Sequence, residues 1–209
     1  MANKHRKPTK GYFVTVDETE KPASEKEPAG EYYIAVATMV NDRIAFRKVV
    51  DDLNLNREIG YADDHNLTPY IIGTSKPYVE EVYVAKLDLK DPENSSLTPK
   101  NRHYKVMRGL RSMLPYGKDD DVFVLVDQKG GINSNEIKRI FVDIEGKKIV
   151  ERNNHYCIVG PSNWFSKLQV QDFYTGSVGS SINGHDDSDL DLFKELCVVR
   201  TFNKKRNQG

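Results

Sequence analysis

The sequence predicts an α/β fold, a mixed β-sheet flanked by helices, on three observations. Val122, Phe123, Val124, Leu125 and Val126 form an unbroken apolar run rich in β-branched and aromatic residues, the pattern of a strand buried on both faces. Two earlier apolar runs, 12–16 and 32–40, flank a polar stretch bearing Pro22, Pro28 and Gly30, and read as hairpin partners. Strand-like and helix-like segments alternate only after residue 77. A hairpin followed by alternation gives a mixed sheet with helices packed on it.

Taken in order, residues 1–11 read as a disordered basic arm holding Lys4, Arg6, Lys7 and Lys10. The first strand runs into Asp17-Glu18, and 19–30 is a long polar loop. Ile44, Phe46, Val49, Val50 and Leu53 give a loose helical period, whereas 57–64 is ambiguous. A strand is expected over 78–87. Thr98 followed by Pro99 is a helix start, Tyr104, Met107, Leu110 and Leu114 continue it, and Pro115 and Gly117 end it. After the central strand, Asn133 and Glu136 form an Asn version of the capping box, with Ile132 and Ile137 placed for the hydrophobic staple. Residues 155–159 are a short strand closed by Gly160-Pro161, and a helix starts near Ser166. Residues 187–199 read as a last helix with Leu190, Phe193, Leu196 and Cys197 on one face. The expected organisation is therefore an arm over 1–11, one domain over 12–199, and a basic tail over 200–209 carrying Arg200, Lys204, Lys205 and Arg206.

Composition narrows the function. Of 209 residues, 38% are hydrophobic and 30% charged, and 31 basic residues balance 31 acidic ones. Global charge does not point to nucleic acid; the two basic ends are the charged features, as phosphate contacts or as solubilising tails. Cys157 and Cys197 are 40 positions apart, which excludes a CxxC zinc ribbon and a disulfide framework. No apolar run approaches the ~18 residues of a membrane span, and no signal peptide is visible, so a cytoplasmic protein is expected.

The informative acids sit at element ends. Asp17 and Glu18 follow the first strand, and Asp127 ends the buried strand just before Gly130-Gly131. Asp127 is either a turn residue or a site residue, since open α/β sheets collect ligands beyond the carboxyl ends of their strands. Asp172 lies on a late helix with Gly176 and Gly179 on the same face. Each glycine costs that helix ~1 kcal/mol, which close approach to a sheet would offset. Such a helix would bring Asp172 to the strand ends carrying Asp17 and Asp127. Clustered carboxylates repel one another and call for hard divalent cations, Mg2+ or Mn2+, the ions of metal-dependent phosphoryl transfer. Asp17-Glu18-Thr19-Glu20 lacks the second Asp of a dehalogenase-type phosphatase, and the runs at 119–121 and 186–189 lack the glycine and terminal Glu of a calcium loop. His155 reads as a strand residue and Trp164 as a packing anchor.

In the order of its motifs the chain resembles the domain-of-unknown-function family 3800 of the ribonuclease H-like clan. The matching pieces are Val16-Asp17-Glu18-Thr19, Arg57-Glu58-Ile59-Gly60 with Asp63, Leu125-Val126-Asp127, and Leu168-Gln169-Val170-Gln171-Asp172 followed by Gly176. Thr19-Glu20 stands where the family has Ser-Gly, and Gln171 where it has a small residue. The resemblance implies a ribonuclease H-like sheet and a nuclease or related site. On that reading Asp17, Asp127 and Asp172 are metal ligands, Glu58 is a further catalytic group that ligates or orients water, and Lys129 contacts a nucleic-acid phosphate. The alternative is a non-catalytic nucleic-acid- or protein-binding module on the same fold.

Overall fold

The computed structural model describes residues 10–20, 30–53, 59–117, 120–142, 144–145, 148–149, 155–162, 165–184 and 188–203. Most of both basic ends, the acids at 186–187, Trp164 and Glu58 lie outside these residues.

The strands are β1 (Gly11–Glu20), β2 (Tyr32–Val40), β3 (Val79–Asp88), β4 (Asp121–Asp127), β5 (Ile144–Glu145), β6 (Lys148–Ile149), β7 (His155–Gly160) and β8 (Cys197–Thr201). Six of them build one sheet in the order β7-β4-β1-β2-β3-β8, and β5 pairs with β6 separately. β1, β2 and β3 form an antiparallel meander. β4 joins β1 in parallel, β7 joins β4 in parallel, and β8 joins β3 in parallel. The helices are α1 (Arg43–Asp52), α2 (Tyr61–Asp64), α3 (Thr68–Ser75), α4 (Pro92–Ser95), α5 (Pro99–Met113), α6 (Ser134–Phe141), α7 (Ser166–Ile182) and α8 (Ser188–Asp191). No helix among the described residues is long and apolar enough to cross a membrane.

The sheet has a core on each face, because strand side chains alternate. Val14, Val16, Val124 and Val126 point to one side, where Met107 and Leu110 of α5 and Ile137 and Phe141 of α6 cover them. Phe13, Ile34, Val36 and Val84 point to the other, against Phe46 of α1, Ile71 and Ile72 of α3, and Val170, Phe173 and Tyr174 of α7. Burying each such side chain contributes roughly 1.5–3 kcal/mol. Gln171 pins α7 to the sheet: it accepts from Thr15 Oγ1 at 2.8 Å and donates to the Val36 carbonyl at 3.2 Å. A small residue at 171 would leave Thr15, itself buried, without this partner.

Several elements differ from the sequence reading. β1 does not end at Asp17-Glu18 but continues through Thr19 and Glu20, which were expected in the loop, because β2 pairs with it as far as Glu20 opposite Tyr33. A helix, α3, occupies part of the stretch after 64, which the sequence reading left unassigned. Asn133 caps α6 through the N–H of Asn135 at 2.9 Å, while Glu136 turns to Arg139 at 2.6 Å and leaves the reciprocal half of the box unmade. The expected last helix over 187–199 is confined to α8 and a single 3-10 turn over 194–196. Cys197, Val198 and Val199 instead pair with Val82, Tyr83 and Val84, since the edge of β3 offers a full ladder of hydrogen bonds to a β-branched segment. Arg200 is thus a strand residue rather than part of a tail, and Phe202 packs beyond it over Gly109, where a Cβ would stand 2.8 Å from the ring.

Candidate functional site at the strand ends

The parallel pairing of β1 with β4 ends at Val16 opposite Val126. Asp17 and Asp127 are therefore the next residues on neighbouring strands, about one strand spacing, ~4.8 Å, apart along the backbone. Each is four positions beyond an aromatic residue, Phe13 and Phe123, so both acids share the face of the sheet under α7. α7 brings Asp172 to that face. Its approach is close on both sides of the glycine stripe. A Cβ on Gly179 would lie 2.6 Å from Thr19 Cγ2 of β1, and one on Gly176 would lie 2.1 Å from the Tyr61 ring. Only glycine leaves room there.

Backbone donors orient the acids. Asp172 Oδ2 accepts from the N–H of Tyr61 at 2.7 Å, at the start of α2. Asp17 Oδ1 accepts from the N–H of Glu18 at 2.7 Å, and Asp127 Oδ1 from the N–H of Gln128 at 2.8 Å. Asp17 is buried, with 6% of its surface exposed. Burial is the main force raising its pKa well above the ordinary carboxylate value; the charges of Glu18, Asp172 and Asp127 push the same way, and the Glu18 N–H opposes them. Asp172 is raised too, chiefly by burial and against the Tyr61 hydrogen bond.

Glu18 points through the opposite face. There Lys129 Nζ lies 3.0 Å from Glu18 Oε1 and donates to the Tyr33 hydroxyl at 3.1 Å. That hydroxyl also bonds His103 Nδ1 at 2.8 Å, and His103 Nδ1 is 3.8 Å from Glu18 Oε2. Burial pushes Glu18 up to about 7 and the Asp127 charge adds to this, while Lys129 counters both. Burial and the nearby ammonium of Lys129 push His103 down to about 4, so the ring is neutral near pH 7. Burial also raises Tyr33.

Asp17, Asp127 and Asp172 are thus brought to one region, and Asp17 feels the other two directly. Glu58 lies outside the described residues, and its companion Asp63 is exposed. Lys129 is held against Glu18. The network of Glu18, Tyr33 and His103 was not assembled from sequence, although two signals were available: alternation from Asp17 turns Glu18 to the other face, and His103, Met107, Leu110 and Leu114 recur at helical spacing. His155 is a buried strand residue whose ring meets Tyr116 edge-on.

Oxygen-only donors suit a hard divalent cation. Among the described residues, however, no group of three His, Cys, Asp or Glu side chains is placed to hold one ion together. The donor chemistry of Mg2+ or Mn2+ is present; the acids are not drawn in around a single point.

No protein-family model and no curated protein matches this sequence. Solved structures do. The ribonuclease H2 from Pyrococcus horikoshii OT3 superposes with a TM-score of 0.51 at 10% identity, covering 88% of this chain and 76% of that one. A chain of the PCNA:RNase HII complex from Archaeoglobus fulgidus gives the same TM-score, identity and coverage. At such identity the likeness speaks to architecture, and with the mixed six-stranded sheet and its flanking helices it establishes a ribonuclease H-like α/β fold.

Proposed function

We propose that this chain is a divalent-metal-dependent nuclease. The observation that carries the reading is Asp17: a buried carboxylate on the central strand β1, just past the last pair that β1 makes with β4, pushed toward protonation by burial and by other acids. Repulsion of this kind costs stability unless a cation relieves it, so such a cluster is expected where one is bound. Asp17, Asp127 and Asp172 would hold Mg2+ or Mn2+. When bound, the ion would supply charge stabilisation to a phosphodiester undergoing hydrolysis. The chain's own groups prepare the place: backbone N–H groups fix one oxygen of each Asp, α7 shields Asp17 from water, and Lys129 balances Glu18 on the far side of β1. Nucleic acid is the proposed partner. Membership of the domain-of-unknown-function family 3800 is part of the proposal, supported by the order of the four motif pieces, with Glu58 as the further catalytic group.

The rival is a binding module that keeps the acids without catalysis, favoured by the absence of a three-residue ion site among the described residues. A cleavage assay on labelled single-stranded and hybrid oligonucleotides, with Mn2+ and with chelator, separates the two. Manganese-dependent cleavage lost in Asp17→Asn supports the nuclease. Cleavage unaffected by that substitution, or none with any ion, ends it.

A further inference from the structure

The sheet face that carries Asp17 and Asp127 continues away from them as an ordered series of rungs. Register places Phe13, Phe123 and Tyr156 side by side across β1, β4 and β7. Thr15, Leu125 and Ile158 form the next rung on this face, then Asp17 and Asp127 with Gly160 beside Asp127. From the aromatic rung to the acids is four residues, ~13 Å at ~3.3 Å per residue. α7 covers β1 and β2 more fully than β4, and the cover thins toward the edge. Phe13 is buried, but Tyr156 is 58% exposed and Ile158 39%.

The aromatic rung lines a pocket of about 370 Å³ with Asn41, Arg43 and Asp121, a volume typical of small-ligand sites. The Arg43 guanidinium lies over the Phe123 ring at 4.6 Å and the Phe13 ring at 5.5 Å, and those two rings stack at 5.5 Å. Arg43 is the cation of the pocket wall, and it and Arg47 of α1 both act on Lys167, at the start of α7, whose pKa is lowered first by burial. Asp51 opposes them, acting on Lys167 and pairing with Arg47 at 3.7 Å, and Asp121 adds a second negative charge to the pocket wall.

An exposed tyrosine, an arginine plane already stacked on phenylalanine, and three cations suit a ligand with flat π faces and phosphates. We propose that this rung is a second binding site, which takes an unpaired nucleobase, and that the attached single strand runs over β4 and β7 to the acids. The base stacks on Tyr156 and the Arg43 plane, while Arg43, Arg47 and Lys167 meet phosphates. A paired base cannot offer its face in this way, so the site selects single strands or frayed ends. The path to Asp17 and Asp127 rests on the nuclease reading; the base site does not.

The test is fluorescence anisotropy with labelled oligothymidylate and with a duplex of the same length, both in chelator. The single strand should bind more tightly. Tyr156→Ala should weaken it about fivefold or more, the low end of what one stacked base contributes, and Tyr156→Phe should restore it. Arg43→Gln and Lys167→Gln should each flatten the salt dependence by about 0.7 in log–log slope. Equal affinity for duplex, or no effect of Tyr156→Ala, overturns the site. So does a Tyr156→Ala variant that loses self-association in light scattering yet keeps oligonucleotide affinity, which would make the rung a contact between copies. Binding that depends on Tyr156 in a protein without cleavage under Mn2+ keeps this site and ends the nuclease reading.

Discussion

Asp17 and Glu18 are consecutive on one strand, and their surroundings are opposite. Asp17 faces α7, and after burial the charges that raise it are all acids, Glu18 first and then Asp172 and Asp127. Glu18 faces α5 and is answered by Lys129, with Tyr33 and His103 completing a hydrogen-bonded set. Burial raises both. Among the described residues, Glu18 is the one of the two that is paired with a cation. The lesson is that two consecutive residues of one strand can meet opposite surroundings: Glu18 is answered by a lysine, and Asp17 is set among other acids.

The largest expected contrast is in activity. If the nuclease reading holds, Asp17→Asn should reduce manganese-dependent cleavage by more than about 100-fold, since even groups that only support a metal ligand reach about that loss. Glu18→Gln, on the opposite face, should cost much less, as measured by single-turnover cleavage. Equal losses would erase the distinction between the faces.

Titration sharpens the same contrast. Glu18 is raised from 4.5 to about 7, so between those values the folded protein holds a proton that the unfolded chain has released. Its contribution is fully present below 4.5 and is lost as pH rises through about 7. In chelator, wild-type stability relative to Glu18→Gln should therefore fall across that window, by no more than about 3.4 kcal/mol. His103 runs in the opposite sense and is present in both proteins. Urea melts at the two ends of the window measure the difference, and a flat difference would mean that Glu18 is not desolvated as described.

If the nuclease reading holds, metal would act on the face that carries Asp17. Manganese at a hundredfold excess over Kd should stabilise the wild type by ~2.7 kcal/mol. Asp127→Asn should lose most of that gain and, in chelator, melt no lower than wild type, because one repulsive charge on Asp17 is gone. Glu18→Gln should keep the gain. No metal-dependent shift in the wild type would favour the binding module.

Smaller effects probe the face that carries Glu18. Lys129→Met strands Glu18 and should cost about 2 kcal/mol, less than the ~3–5 of a fully buried pair because the lysine is partly exposed. Adding Glu18→Gln to it should recover part of the loss. Tyr33→Phe removes the hydroxyl shared by Lys129 and His103 and should cost about 1 kcal/mol.

Most of the architecture was legible because it is written in local patterns. The apolar runs became β1, β2, β3, β4 and β7, and the Thr98 cap at the start of α5 formed as read, accepting from the Asn101 N–H. Asp127 was legible because a buried strand must deliver its polar residue where the core stops, whereas Asp17 lies inside β1. Two elements were not legible. Leu190, Phe193, Leu196 and Cys197 recur at helical spacing, and the open edge of β3 drew 197–201 into a strand instead. The four residues of α2 are too few to show any period.

Residue type and spacing along the chain determined that 122–126 is a strand buried on both faces with Asp127 at its end, that Asp172 stands on a helix, and that this helix must approach something closely at Gly176 and Gly179. Tertiary structure alone decided that Gly179 meets Thr19 while Gly176 meets Tyr61, and that Glu18 meets Lys129, Tyr33 and His103. It also decided that Phe13, Phe123 and Tyr156 share one rung. The reason is register. Strand pairing and helix docking join residues more than a hundred positions apart, and one residue of slip would turn every side chain to the other face.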